Sequence, residues 1–434
     1  MITELIHAYR GLPAPIYVIS LARCISALGA FVYPFLTLTL TARLQLSEAE
    51  AGLVLSGVGG VSLLGSSLGG WLSDRYSKVT LMIGAQLGAA LGLGVAGFVS
   101  DSLWLIVPLL LSTLSVSCIR PASSALIAEL TPGPLRTRAF SLGHLATNLG
   151  FSIGPLIAAY LFERAPAWIF WGDALTTLAA AGVVWWKLAR ALPHDAEAAG
   201  ARAAALKPLP PQSALEEAVE GSIWEVLWER PQLMCYALAS LLMTFGYAQV
   251  TFSLPITLTQ LLGPSGPELF GLVMSANGLF VLLLTPLITR RAEGRPHLSG
   301  LQRAALCFGL GFGVIGLTPL FTELSGLSQS SAWTLSSPLV ALLMLSVAIW
   351  TAGEIYSVNH GSAFVAQESP ASHRGRINGV LPVILGLTRS LAPIISGALM
   401  GLLSLASFWL VIGLSALSAF FAFSLMRLKW GSAR

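Results

Sequence analysis

The sequence predicts an all-α membrane protein: twelve transmembrane helices in two six-helix bundles. Three observations carry that prediction. The first is composition. Of 434 residues, 55% are hydrophobic and 10% charged, and the mean hydropathy is +0.77, whereas a soluble domain carries about 25% charged residues. The second is spacing. A crossing needs about 20 apolar residues, and twelve runs qualify, at roughly 14–42, 50–73, 79–99, 102–128, 138–162, 167–190, 231–262, 267–290, 301–321, 334–366, 374–401 and 404–428. The third is self-similarity. Residues 124–161 and 362–399 align without a gap at an offset of 238, so that Ser124, Ala128, Pro132, Arg136, Arg138, Leu149, Ser152 and Pro155 recur as Ser362, Ala366, Pro370, Arg374, Arg376, Leu387, Ser390 and Pro393. Each copy is an apolar run, a short loop with Pro and Arg-x-Arg, and a second apolar run holding a Pro. Apolar character alone does not require that loop spacing. Two similar halves in a membrane are the signature of a transporter working at the seam between repeats.

Taken in order, the chain opens on MITELIHAYRGLPAP, which lacks a short apolar core and a small-residue cleavage site, so no cleavable signal peptide is expected. Spans one to six form the first bundle, 1–190. Residues 191–230 are the one long polar segment. Its first half is an Ala/Pro-rich linker. In its second half Ile223, Trp224, Leu227 and Trp228 oppose Glu216, Glu217, Glu220 and Glu225 at helical spacing, which predicts a helix lying on the cytoplasmic interface. Spans seven to twelve form the second bundle, 231–434. An even number of spans puts both termini on one side. With that side cytoplasmic, nineteen of the 24 Lys and Arg face inward, only Arg43 and Arg164 face outward, and Arg23, Arg120 and Arg389 lie within spans. The positive-inside rule is met. The net charge of +4 therefore follows from topology and implies no nucleic-acid partner. The four cysteines sit singly in apolar runs, which points to neither disulfide nor metal site.

Charged residues inside or between spans carry the chemistry. The loop between spans two and three reads Gly69-Gly70-Trp71-Leu72-Ser73-Asp74-Arg75-Tyr76-Ser77-Lys78. An acid followed by two cations at helix ends can pair with neighbouring ends and release them, and Glu129, at the cytoplasmic end of span four, is the expected partner. Span five carries Gly150-x-x-x-Gly154-Pro155; glycines four apart permit close helix contact, and Pro loosens the helix, so either packing or a hinge is served. Glu354 lies about twelve residues from the cytoplasmic end of span ten, where a carboxylate costs roughly 2.5–3.5 kcal/mol and is functional by default. It is assigned as the proton carrier, against the rival role of static partner to an arginine. Arg23 in span one and Arg120 in span four are intramembrane cations that must find an anion or carbonyls. Asp173, near the outer end of span six, suits helix initiation or proton handling. Arg389 in span eleven either pairs with a cavity anion or snorkels. His144 and His360 read as structural. Asn148, Gln249, Asn277 and Asn359 serve either substrate or helix packing. No G-x-x-x-x-G-K-[ST] occurs, so ATP hydrolysis is not the power source.

The span two–three loop, G-x-x-x-D-R-x-x-K, resembles the best-known signature of the major facilitator superfamily, and twelve spans in two halves extend the likeness to the whole chain. The resemblance implies a cytoplasmic latch carried by Gly70, Asp74, Arg75 and Lys78 with Glu129, joined by the Arg136 and Arg138 loop. The span-five stretch is similar to the family's antiporter signature, with Ala158 and Ala159 at its last two positions, and implies a hinge at Gly150, Gly154 and Pro155. In this superfamily spans one, four, seven and ten line the cavity, which implies Arg23, Arg120 and Glu354 together at its centre. Arg389, Tyr356 and Asn359 are further candidates for the substrate cavity, and Glu354 and Asp173 those for proton coupling. The Arg23, Arg120 and Glu354 trio also resembles proton-coupled oligopeptide transporters, although Ile19 and Ala22 stand where those have two glutamates. The expected function is proton-coupled export of small amphipathic or anionic molecules by alternating access, from a bacterial inner membrane, by a monomer with no cofactor and no metal. The alternative is proton-coupled import of peptides or organic anions. A channel would not need two latched bundles, and a receptor would usually carry a sizeable soluble domain.

Overall fold

The structure, a computed structural model, describes residues 9–131, 133–189, 227–292, 295–324, 337–369 and 374–430. Every regular element among them is helical. Eleven helical stretches are long and apolar enough to cross a membrane, and one of these, Pro231–Arg291, runs for 61 residues, enough for two crossings at about 20 residues each. It holds Pro231–Ala248, Ser253–Leu262 and Gly266–Ala292. The twelve predicted spans are therefore all present. The interfacial helix falls outside the described residues except for its last turn, in which Leu227 is buried and Trp228 exposed.

Helix starts follow from local chemistry. Span two, Glu48–Arg75, opens on a reciprocal cap. The Ser47 backbone N–H donates to Glu50 Oε2 at 2.9 Å, and the Glu50 N–H donates to Ser47 Oγ at 3.3 Å, so two donors at the helix start are satisfied at once. Ser337 accepts from the Val340 N–H at 3.3 Å, and Pro338 occupies the first turn of span ten, where its missing N–H costs nothing.

Several spans are interrupted. Span one is Ala14–Leu28 followed by Val32–Leu38. The break falls at Gly29, where any side chain would overlap that of Thr176 in span six. Span five divides into Gly133–Phe151 and Gly154–Arg164. Span seven breaks between Ala248 and Ser253. There the Gln249 side chain donates to the Phe245 carbonyl at 2.8 Å and accepts from Ser253 Oγ at 2.7 Å, which meets the requirement that polar groups inside a membrane be paired.

Contacts divide the chain into two compact units, Met1–Leu44 with Gly60–Pro208, and Gln45–Gly59 with Leu209–Arg434. The sequence assigns all of span two to the first half. Its start, as far as Gly59, instead packs within the second unit, because that face is stripped to small residues. A side chain at Gly52 would strike the Pro393 carbonyl, and one at Gly59 would meet Ser390 Oγ at 2.7 Å. Between them, Ser56 Oγ accepts from the Ile394 N–H at 3.2 Å. Pro393 lies inside span eleven, so the ladder there is already disturbed, and Ser56 supplies the acceptor.

Candidate functional site

Each unit carries a cluster of charged and polar side chains within its spans. In the first, Arg23 donates to Ser123 Oγ from Nε at 3.2 Å and from Nη2 at 2.7 Å. Its remaining nitrogen, Nη1, reaches toward span five, where a side chain at Gly143 would meet it at 2.7 Å. Arg120 lies near enough for the two charges to repel, and both act on His144. Neither arginine has an ion-pair partner among the described residues. His144 Nε2 lies 3.2 Å from Asn148 Nδ2, which also donates to the His144 carbonyl at 3.0 Å. Since an amide nitrogen can only donate, the tautomer that satisfies this contact is the one with the ring proton on Nδ1 and Nε2 as acceptor.

In the second unit Glu354 is held by a polar set from three spans. Asn277 Nδ2 donates to Glu354 Oε2 at 3.2 Å and to Thr351 Oγ1 at 2.9 Å. The Tyr247 hydroxyl hydrogen-bonds to the same carboxylate, and the Arg389 charge acts on it. Arg389 lies over the Tyr247 ring, 5.7 Å from its centroid, within cation–π range. That ring is fixed edge-on by Phe308 at 5.8 Å and Trp350 at 6.0 Å. Arg389 makes no ion pair among the described residues, and its charge acts on Glu354 from over the Tyr247 ring.

Other predicted residues fall elsewhere. Tyr356 and Asn359 do not join Glu354. Two residues along a helix is a rotation of about 200°, and Tyr356 accordingly stacks on His360 at 6.1 Å with Arg303 at 6.0 Å. Asn359 donates to Thr289 Oγ1 at 3.1 Å. Asp173 accepts from the Val32 N–H at 3.3 Å, and also from the Phe31 N–H and the Thr177 hydroxyl. Its carboxylate therefore caps the second piece of span one rather than starting its own helix. At the loop between spans two and three Lys78 Nζ pairs with Glu129 Oε1 at 2.7 Å. Arg75 covers the Trp71 ring at 3.9 Å, and Asp74 is exposed. The pairing with Glu129 expected of this loop is thus made by Lys78. Gly70 has open space where a side chain would stand. Arg136 donates to the Ala128 carbonyl at 2.9 Å, and Arg138 to the Arg10 carbonyl at 3.0 Å. Gly150 and Gly154 lie against the backbone of span one, so that a side chain at Gly154 would meet the Leu28 carbonyl at 2.7 Å. Span five breaks just before Gly154-Pro155, so the stretch serves both packing and interruption.

Tyr247, Thr351, Ser123 and Gly143 are residues the sequence does not single out. Each is one small or aromatic polar residue in an apolar run, with no spacing pattern to mark it. Asn277 and His144 are visible as polar residues, but their partners are not.

The sequence profile of the Major Facilitator Superfamily matches residues 19–360. An uncharacterized MFS-type transporter, YqjV of Bacillus subtilis, is 30% identical over 256 residues, and the alignment spans only 57% of each protein. A Na(+), Li(+), K(+)/H(+) antiporter of Planococcus maritimus is 24% identical over 84% of both chains. Among solved structures, the POT family transporter PepTSo superposes with a TM-score of 0.73 at 18% identity, covering 97% of this chain and 99% of that one. The chain is a transporter of the Major Facilitator Superfamily.

Proposed function

We propose that this chain is a proton-coupled secondary transporter that exports small amphipathic or anionic molecules by alternating access, from a bacterial inner membrane with both termini cytoplasmic. The observation that carries the reading is Glu354, a carboxylate within span ten whose partners are Asn277, Tyr247 and Arg389. Intramembrane carboxylates are the usual sites of proton relay. When Glu354 is ionised it draws on Arg389 and two hydrogen-bond donors, and when it is protonated that pull is released. Two charge states thus give two arrangements of spans seven, eight, ten and eleven, which is what a coupled carrier needs. Exchange rather than co-transport is supported by the Planococcus relative, named as a proton antiporter. Asp173 is assigned to positioning span one, since its oxygens are taken by backbone donors.

A second reading, proton-driven import of peptides or organic anions, is favoured by Arg23 and Arg120, two cations within spans that have no ion-pair partner among the described residues. The same pair argues against alkali cations as cargo, since those ions are bound by oxygen ligands. The test uses the full chain in proteoliposomes loaded with acid and an entrapped pH reporter. Adding an anionic amphipathic dye outside is expected to carry protons out of the lumen, whereas NaCl, LiCl and KCl are expected to leave the gradient unchanged. Dissipation by the alkali salts alone would overturn the cargo assignment.

A further inference from the structure

The first unit holds a cluster that the proton step does not use. Arg23 lies nine residues past Ala14, Arg120 ten before Leu130, and His144 nine past Leu135. At 1.5 Å per residue each is about 14–15 Å into its span, near the middle of a hydrocarbon core about 30 Å thick. Three spans thus bring two guanidiniums and one imidazole to a common depth. Positive charges that lack an acid at such depth are costly. Helix carbonyls do not absorb them, for Arg23 spends Nε and Nη2 on the Ser123 hydroxyl. Arg120 makes no hydrogen bond to any described residue.

What is left over has a definite shape. Arg23 Nη1 packs on Gly143, where a side chain would meet it at 2.7 Å, so the glycine lets the guanidinium lie against span five beside His144. The His144 tautomer that satisfies Asn148 at Nε2 carries its proton on Nδ1, so an imidazole N–H is free to donate. Arg120 adds further donors in a planar fork suited to carboxylate and phosphate oxygens.

We propose that Arg23, Arg120 and His144 form an oxyanion seat in the first unit, which anchors the phosphate or carboxylate head of an amphipathic substrate. Ser123 and Asn148 are positioning residues that fix the direction of Arg23 and the tautomer of His144. This inference rests on the transport reading above and narrows its substrate class: the head group is anionic, and the recognition is by donors rather than by an acid. Permanently cationic amphipaths find no partner in this cluster.

The test is titration calorimetry on the purified full chain in detergent, with octyl phosphate, octanoate and octyltrimethylammonium as a matched set of equal tail length. Octyl phosphate and octanoate are expected to bind and the ammonium compound to bind at least tenfold more weakly. Arg120→Gln, which breaks no hydrogen bond among the described residues, is expected to weaken octyl phosphate by about 10–100-fold, the worth of one charge-assisted contact. His144→Ala is expected to weaken the anions and leave the ammonium compound unchanged, whereas a packing role would weaken all three alike. Glu354→Gln is expected to bind the anions as the wild type does, which separates the two proposals. Wild-type preference for the ammonium compound, or unchanged octyl phosphate binding in Arg120→Gln, would overturn the seat while leaving proton-driven transport standing. Intact anion binding without any gradient-driven transport would overturn the coupling reading and leave the seat.

Discussion

Glu354→Gln is expected to reduce gradient-driven transport to the level of protein-free vesicles while leaving the protein folded in the membrane. Glutamine is nearly isosteric, and its side-chain oxygen still accepts from Asn277 Nδ2 and the Tyr247 hydroxyl, so the local hydrogen bonds to span ten survive. What disappears is the second charge state. Arg389 then faces a neutral group at all times, and the spans that meet at Glu354 lose the event that switches them. Counterflow, in which labelled and unlabelled substrate exchange with no gradient, is expected to persist because it needs no proton. Wild-type gradient-driven transport by the variant would remove Glu354 from the coupling role. Loss of counterflow as well as coupled transport would reassign it as a static helix tie.

The second large effect is expected at Asp173. Asp173→Ala takes the acceptor from the Val32 backbone N–H at the start of the second piece of span one, whereas the Phe31 N–H keeps the Gly29 carbonyl at 2.7 Å. Each buried donor left unsatisfied costs about 1–3 kcal/mol, and no water in the hydrocarbon core can replace the lost acceptor. The unfolding midpoint in detergent, followed by tryptophan fluorescence, is expected to fall by several degrees or more. Asp173→Asn keeps one acceptor oxygen, so an intermediate midpoint and retained proton-driven transport are expected. A stable Asn variant that has lost gradient-driven transport would contradict the capping role and restore Asp173 as a proton carrier.

Asp173 also marks where the sequence stops being legible. Twelve spans could be read from apolar length, because a membrane crossing imposes one length on every helix and leaves its mark in composition. The cap of span two is a local pattern, Ser47-x-x-Glu50, although the sequence reading did not draw it out. The break in span one has no local pattern. It depends on Gly29 meeting Thr176 and on a carboxylate 141 residues away, and no local spacing records such a meeting. The division of span two has the same origin. Gly52, Ser56 and Gly59 are visible as small residues, but their fit against Pro393, Ile394 and Ser390 is a property of the packed unit.

The site shows the same divide. Arg23, Arg120, Glu354 and Arg389 stand out because a charge in an apolar run is costly and therefore conspicuous. Tyr247 does not, since an aromatic ring belongs in a span whether or not its hydroxyl has work to do. Tyr356 was drawn in by nearness in sequence to Glu354, and helical rotation carries it to the opposite side, onto His360. In the loop between spans two and three the motif names three charges without saying which one pairs. Lys78 takes Glu129 because it begins span three beside the end of span four, leaving Asp74 exposed.

The most direct test of proton-coupled export is the sign of the gradient that drives uptake. Proteoliposomes carrying the full chain would be given an anionic amphipathic dye outside, under an acid interior or an acid exterior, with protein-free and Glu354→Gln vesicles as controls. An exchanger fills the lumen with dye only when the interior is acid, and the account predicts that result, abolished in Glu354→Gln. Uptake driven by an acid exterior would contradict it and establish import with protons. Uptake indifferent to either gradient would contradict proton coupling altogether.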